Sequence, residues 1–134
     1  RLSESQWAGI KALKALARLD RNRLSSSDVA FFLAPRLNAA GRMGEARDAL
    51  ALLLTDDPGE AYRLADRIER LNGERRHAEQ AVLEEASAQI RQRDPLPPAL
   101  VLWSERWPVG VIGIVASRLL DRHRRPAARQ DDDL

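Results

Sequence analysis

The sequence Pro58-Gly-Glu-Ala-Tyr-Arg-Leu-Ala-Asp-Arg-Ile-Glu-Arg-Leu71 opens the longest periodic stretch of the chain, which continues to about Arg93. Apolar residues recur along it at spacings of three, four and seven, which indicates one face of a helix. They are Ala61, Leu64, Ala65, Ile68, Leu71, Ala78, Val82 and Ile90. The stretch predicts one helix of about 35 residues, roughly 50 Å long, which Asn72-Gly73 could bend. A helix this long and this charged is typical of a connector between two bodies.

Shorter helices are predicted on the N-terminal side of this connector. The first begins at Ser3 or Ser5 and runs through about Leu19, and the second begins with a cap in Ser25–Ser27 and Asp28. Proline disfavours a helical conformation at the residue before it, so Pro35 is predicted to end or kink the second helix. The residues 34–44 are too irregular for a long helix, and Glu45 opens a further helix through Leu54. The apolar face of the first helix is predicted to hold Trp7, Ile10, Leu13, Leu16 and Ala17.

The pattern changes after the proline-rich residues 94–98. Residues 99–103 (Ala-Leu-Val-Leu-Trp) form a short apolar run, which predicts a buried strand. A loop is predicted over 104–109, followed by a helix from Gly110 that ends near residues 123–126. No second strand is predicted after this helix, and residues 127–134 are predicted to form an exposed tail. The predicted fold class is therefore α-rich α/β, with a single, incomplete βα unit.

The composition bounds the function classes. The 134 residues are 44% apolar and 31% charged, the balance of a globular protein. No apolar run approaches the length of about 20 residues that spans a bilayer, and the absence of cysteine excludes disulfides and cysteine-ligated metals. The expected location is the cytoplasm, without a membrane partner. Twenty of the 22 basic residues are arginine, which suits phosphate partners but is also expected from a GC-rich genome.

Two segments exceed this background as candidate binding sites. In the segment 35–42, Arg36 and Arg42 could bind phosphate oxygens while Asn38 orients them; an arginine–carboxylate network between helices explains the same residues equally well. Gly110 and Gly113 lie between a strand and a helix, where backbone amides could receive an anion, although tight packing is the favoured explanation.

The remaining polar candidates are interpreted as structural. The histidines, His77 and His123, lack the acidic neighbours of a metal site, and Asp56-Asp57 is interpreted as a turn and helix cap. Trp103 and Trp107 could stack on bases, but tryptophans around a strand more often belong to the core. The acidic run Asp131–Asp133 is interpreted as a frayed terminus.

In combination, three segments resemble the RecJ family of single-stranded-DNA-specific exonucleases, in the DHH phosphoesterase superfamily. Residues 34–44 (Ala-Pro-Arg-Leu-Asn-Ala-Ala-Gly-Arg-Met-Gly) are similar to the end of that family's catalytic domain. Residues 52–57, with Leu71-Asn72 and Arg75-Arg76, resemble its helical connector. Residues 110–119 resemble the opening of its DHH-associated domain. The resemblance implies that 1–57 end the DHH-type domain, 58–94 form the connector helix, 99–127 begin the DHH-associated domain and 128–134 form a tail.

The resemblance implies 5′→3′ removal of nucleotides from single-stranded DNA in repair and recombination, with two Mn²⁺ or Mg²⁺ ions. The family's metal ligands belong to upstream motifs that this sequence lacks. We therefore expect a partial segment that is inactive alone, and we assign no catalytic residue in it. The family segments also imply DNA or 5′-phosphate contacts for Arg36, Asn38 and Arg42. Structural roles are favoured for Gly110, Gly113 and Ser117. A single-strand-binding protein is a possible partner.

One position departs from the family's pattern. Pro108 stands where family members usually carry a histidine, which puts in doubt any contact that depends on that histidine. Three alternatives stay open at this point. They are a related phosphodiesterase of short oligonucleotides or cyclic dinucleotides, a non-catalytic module that binds single strands or a partner, and a purely structural helical adaptor.

Overall fold

A computed structural model describes residues 6–19 and 24–124, together with the backbone of residues 127–128. The chain divides into two compact units, residues 1–74 and residues 75–134. The division falls inside the longest helix, which contributes its first half to one unit and its second half to the other. The predicted caps Ser3 and Ser5 and the acidic run Asp131–Asp133 lie outside the described residues.

The first unit begins with helix α1, Ala8–Leu16, which is shorter than predicted at its C-terminal end. Its buried residues include Ile10 and Leu13, as predicted, but Trp7 is 65% exposed at the N-cap rather than packed on the apolar face. Gly9 lies against α4 (Ala46–Leu54), because a Cβ built on Gly9 would lie 1.8 Å from the carbonyl oxygen of Leu52. Only a residue without a side chain permits this approach of the two backbones.

The second helical region differs from the prediction, because Pro35 does not interrupt it. The helix begins as α2, Ser26–Asp28, continues as a π-helical segment, Val29–Leu33, and goes on as α3, Ala34–Met43. Ser25 and Asp28 form a capping box at its start, which confirms the predicted cap. The prediction that residues 34–44 are irregular was wrong. Pro35 directly follows the π-helical segment, where the hydrogen-bond pattern changes from i→i+5 to i→i+4, so the helix accommodates a residue without an N–H at this point.

The connector helix α5 runs from Pro58 to Arg91, which confirms the predicted helix, and it continues through Asn72-Gly73. The Asp57 carboxylate accepts a hydrogen bond from the Gly59 N–H at 2.9 Å, which confirms Asp57 as a cap. The core of the first unit is formed by residues of α1, α3, α4 and α5, together with Leu19 and Leu33. It comprises Ala12, Leu13, Leu19, Leu33, Ala40, Leu52, Ala61, Ala65 and Ile68.

The second unit contains a complete β–α–β arrangement. Strand β1, Leu100–Val101, pairs in parallel with β2, Ala127–Ala128, and helix α6, Val109–His123, lies between them in sequence. The prediction that no second strand follows the helix was therefore wrong, because two residues suffice for this pairing and so short a segment carries no apolar pattern. The buried apolar residues of the second unit are Val82, Leu83, Ala86, Ile90, Leu100, Leu102, Trp107, Val111, Val115 and Leu119.

Candidate nucleic-acid interface

The three predicted phosphate-binding residues of α3 do not lie on the same side of the helix. Ala39 and Ala40 are buried, whereas Asn38 and Arg42 are exposed and lie four residues apart, on one face of the helix. Arg36 lies two residues before Asn38, about 200° around the helix, and so it does not share that face. The structure therefore brings Asn38 and Arg42 together and turns Arg36 away from them.

Arg36 is held by protein groups. Its guanidinium forms a close ion pair with Glu69 of α5 through Nε, donates from Nη2 to the same carboxylate at 3.3 Å, and donates from Nη1 to the carbonyl oxygen of Phe32 at 2.6 Å. Its side chain is only 14% exposed. This is the arginine–carboxylate network that the sequence left open as the alternative to phosphate binding.

Arg42 occupies a different environment, in the last turn of α3. A cation there is favoured by the negative end of the helix dipole. Gly41 precedes it and is also exposed, and a Cβ on Gly41 would meet only the Cβ of Ala46, at 3.8 Å. The face that carries Asn38 and Arg42 therefore presents an amide and a guanidinium at the surface, with the exposed Gly41 beside them.

The second predicted segment forms the first turns of α6. Pro108 is the N-cap and supplies no side-chain hydrogen bond, while its carbonyl oxygen accepts from the Val111 N–H at 3.1 Å. Gly110 lies in the first turn of α6. A Cβ on Gly113 would meet nothing within 4 Å. Packing within the described part of this chain therefore does not explain the glycine at position 113.

The buried carboxylate of Glu79, on α5, holds α6 in the second unit. Glu79 is 2% exposed and pairs with Arg75 at 2.6 Å and with Arg118 of α6 at 2.5 Å. Two arginines on one buried carboxylate offset the cost of removing its charge from water. Ser117, beside Arg118, donates its hydroxyl to the carbonyl oxygen of Gly113 at 3.1 Å, so it serves the helix itself.

A second carboxylate of α5 fixes the loop between β1 and α6. The Trp107 indole Nε1 donates to Glu85 at 3.0 Å, and Arg106 Nη2 lies 3.1 Å from the other carboxylate oxygen. The hydrogen bond from Trp107 is the main cause that lowers the pKa of Glu85. Arg106 lowers this pKa further, whereas partial desolvation raises it. Trp107 is buried and serves the core, whereas Trp103 is 52% exposed.

Metal-ligating groups do not converge within the ranges 6–19 and 24–124. No group of three or more histidine, aspartate or glutamate side chains is close enough there to hold an ion. His77 is exposed and His123 is half-buried at the end of α6. The residues present therefore do not fit the metal pair that the resemblance implies. The same ranges contain no helix with the length and hydropathy of a bilayer-spanning segment.

Sequence reasoning missed the two carboxylates that hold the second unit together. Glu79 lies three, seven and eleven residues before Val82, Ala86 and Ile90, so helical periodicity places it on the apolar face of α5. That spacing was a usable signal. Glu85 offered none, because its partners Arg106 and Trp107 lie more than twenty residues away in a loop.

Three comparisons relate this chain to known proteins. No family model matches the sequence. The single-stranded-DNA-specific exonuclease RecJ of Escherichia coli is 44% identical over 122 residues, which are 88% of this chain and 21% of that protein. RecJ of Thermus thermophilus is 44% identical over 126 residues, covering 94% of this chain and 18% of that protein. RecJ of Bacillus subtilis is 40% identical over 127 residues, 95% of this chain and 16% of that protein.

Solved structures give the same result. A crystal structure of exonuclease RecJ bound to manganese matches 96% of this chain and 32% of its own chain, with a TM-score of 0.83 and 41% identity. The structure of Thermus thermophilus RecJ in complex with Mg²⁺ matches with a TM-score of 0.84 and 41% identity, over 96% of this chain and 20% of that one. The chain spans about one fifth of the length of the curated relatives named here. Sequence and fold together identify it as a partial segment of the RecJ family.

Proposed function

We propose that this chain is part of a metal-dependent exonuclease that removes nucleotides from the 5′ end of single-stranded DNA in repair and recombination. The observation that carries the proposal is the match, in sequence and fold, of nearly the whole chain to RecJ proteins. The chain contributes helical structure and DNA-facing groups. It contributes no catalytic residue, because the described residues hold no cluster of metal ligands.

The DNA-facing groups in this proposal are Asn38 and Arg42, on the exposed face of α3. The Arg42 guanidinium suits a phosphate oxygen, and the Asn38 amide suits a second oxygen or a base edge on the same side. The pairing of Arg36 with Glu69 argues against its predicted phosphate contact and favours a role in holding α3 on α5. Gly110 and Gly113 stay candidate backbone contacts, because a Cβ on Gly113 would meet nothing within 4 Å in the part of the chain that the structure describes.

The domain assignment is also part of the proposal. Residues 1–57 are assigned to the end of a DHH-type catalytic domain, 58–94 to the connector helix and 99–127 to the beginning of a DHH-associated domain. Ala128 pairs with Val101, so we assign it to β2 of the same domain rather than to the tail. The Mn²⁺ or Mg²⁺ ions named with the solved RecJ structures would be held by residues outside those described.

Location and partners follow from the proposed substrate. An enzyme that degrades single-stranded DNA in repair acts where the chromosome is, which in a bacterium is the cytoplasm. A single-strand-binding protein is a proposed partner, because it covers the same DNA that the enzyme must reach.

The test is to combine the purified chain with a 5′-phosphorylated single-stranded oligonucleotide and Mn²⁺. We expect binding that weakens as salt is raised, because phosphate contacts release counterions, and no shortening of the strand. A mock purification from cells without the gene controls for contaminating nucleases. Shortening above that control would contradict the assignment of catalysis to residues outside those described. A folded chain without affinity for the strand would instead support a structural adaptor.

A further inference from the structure

Helix α1 presents a row of cations that the sites described above do not use. Lys11 and Lys14, the only lysines of the chain, lie on it, and Arg18 follows its last turn. The spacing of three residues makes Lys11 and Lys14 neighbours on the helix surface, whereas Arg18 adopts a positive φ two residues beyond the helix end and is not placed by that spacing. The buried face is formed by other residues, which are Gly9, Ile10, Ala12 and Leu13. Lys11 and Arg18 are exposed, and Lys14 is half-buried.

These cations border one open cleft of about 400 Å³. The cleft is lined by Lys11, Lys14, Ala15, Arg18 and Leu19, so three of its five lining residues are cationic and none is acidic. Lys11 donates to the Gln6 amide oxygen at 2.8 Å, a neutral partner that leaves its charge uncompensated at that contact. The cleft therefore brings three cationic side chains to one opening, together with Ala15 and Leu19.

An aromatic ring stands beside this row. A second cleft, of about 310 Å³, shares Lys11 and Ala15 and is also lined by Tyr62, near the start of α5. Tyr62 is 57% exposed. Asp56 is the acidic residue of that cleft, and Pro58 also borders it. A ring face and a row of cations are thus accessible from neighbouring clefts of the first unit.

The helix dipole accounts for only part of this arrangement. Lys14 lies in the last turn of α1, where a cation stabilises the helix end. Lys11 lies in the middle of α1, beyond the range over which the dipole is felt. A second explanation is needed for Lys11 and for the fact that three cations line one cleft.

We propose that Lys11, Lys14 and Arg18 bind successive phosphates of single-stranded nucleic acid, with Tyr62 as a stacking face for a base. Cations that follow the backbone beside an exposed aromatic ring are the combination by which single strands are bound without sequence preference. An acidic peptide would use the cations but gain nothing from the ring. The choice of DNA over RNA rests on the proposed function, whereas the contact itself does not.

The direct test uses the fact that no lysine lies elsewhere in the chain. The intact 134-residue protein is acetylated with an amine-reactive reagent in the presence and absence of a fluorescein-labelled dT 15-mer, and modification is located by mass spectrometry. We expect the strand to slow modification of Lys11 and Lys14 at least threefold, because bound phosphates cover both amines. Equal modification with and without a saturating strand would overturn the proposal.

A second measurement uses matched variants. Lys11→Gln/Lys14→Gln/Arg18→Gln is compared with Arg70→Gln/Arg91→Gln/Arg122→Gln, which removes the same charge from other exposed positions. We expect the first variant to bind the 15-mer at least tenfold more weakly than the second. Its plot of log affinity against log salt should be shallower by about 2, for three lost phosphate contacts on a single strand. Equal losses in the two variants, with unchanged circular dichroism, would contradict a specific contact on α1.

Two further arms separate the possible ligands and sites. Tyr62→Leu should weaken binding about tenfold if a base stacks on the ring. A poly-glutamate of equal length that protects the lysines as well as the 15-mer does would overturn the nucleic-acid assignment. If Arg42→Gln leaves binding unchanged while the α1 variant loses it, the proposed α3 interface fails and this inference stands. If Arg42→Gln weakens binding while the α1 variant leaves it unchanged, this inference fails and the α3 interface stands.

Discussion

Two glutamates of α5, ten residues apart, each hold an arginine from another helix, but they do so in different surroundings. Glu69 pairs with Arg36 of α3, and its side chain remains 29% exposed. Glu79 pairs with Arg118 of α6 and with Arg75, and its side chain is 3% exposed. Two of the three segments that resemble RecJ, residues 34–44 and 110–119, are thus each attached to α5, within their own unit, through an arginine and a carboxylate.

The comparison separates anchoring residues from exposed ones. In α3 the arginine that pairs with Glu69, Arg36, was predicted to bind phosphate, whereas the exposed pair Asn38 and Arg42 lies on another face. In α6 the anchored arginine lies beside Ser117, and the exposed feature is the open surface at Gly113. An arginine in a recognisable motif can therefore hold the fold, while neighbouring residues of the same segment are exposed.

The largest expected effect comes from breaking the buried pair. Glu79→Gln should lower the free energy of unfolding by about 3 kcal/mol, because it removes the buried negative charge with which Arg75 and Arg118 both pair. Urea denaturation followed by circular dichroism measures the change. Glu69→Gln is the matched variant and should cost about 1 kcal/mol, since water reaches that pair. Equal costs would contradict the contrast between the two carboxylates.

Two glycines sharpen the same contrast between a closed and an open surface. Gly9→Ala should destabilise the first unit by about 2 kcal/mol, because its Cβ would collide with the Leu52 carbonyl. Gly113→Ala should stabilise α6 by up to about 1 kcal/mol, because a helical glycine costs conformational entropy and an added Cβ would meet nothing within 4 Å among the described residues. Thermal unfolding of both variants checks the signs. A destabilising Gly113→Ala would show that the surface at this position is not open.

The exposed side of α3 is tested by binding rather than by stability. Arg42→Gln should weaken binding of a single-stranded oligonucleotide about tenfold and make the salt dependence shallower by about 0.7, for one phosphate. Fluorescence anisotropy at several salt concentrations measures both quantities. Arg70→Gln, which removes an exposed arginine of α5, is the control and should change neither by a comparable amount.

The smallest effect concerns the loop before α6. The hydrogen bond from Trp107 lowers the pKa of Glu85 in the folded chain, so this carboxylate contributes stability that is present above its unfolded pKa, near 4.5, and is lost at lower pH. Glu85→Gln should therefore flatten the dependence of unfolding free energy on pH below about 4.5. Unfolding curves at pH 3, 4, 5 and 7 test this, and an unchanged pH dependence would contradict the assignment.

Sequence patterns predicted the fold where one physical signal acted over many residues. The apolar period of α5, the cap at Ser25 and the apolar opening of α6 were each local, and the structure confirms them. Pro35 was misjudged because the π-helical segment before it absorbs the disruption, and a π-helical turn has no simple residue pattern. Strand β2 was missed because two alanines become a strand only through their distant partner.

The candidate site was predictable only in part, for a related reason. Motif resemblance singled out the segments that hold the candidate residues, but it could not show which arginine turns inward, since that depends on Glu69, 33 residues away. Gly9 escaped notice because nothing local marks the crossing of α1 and α4. Glu79 could have been found from its place on the apolar period of α5. The pairing of Glu79 with Arg118 could not have been found from the sequence, because it exists only once α6 packs against α5.

The most direct measurement is a segment exchange. The 122 residues of Escherichia coli RecJ that match this chain are replaced by the corresponding residues of this chain, and exonuclease activity on single-stranded DNA is measured with Mn²⁺. If this segment supplies structure and DNA contacts but no metal ligands, the chimera should remain an active exonuclease. Arg42→Gln in the chimera should raise KM more than it lowers kcat. A folded chimera that binds metal but does not degrade single strands would contradict the account.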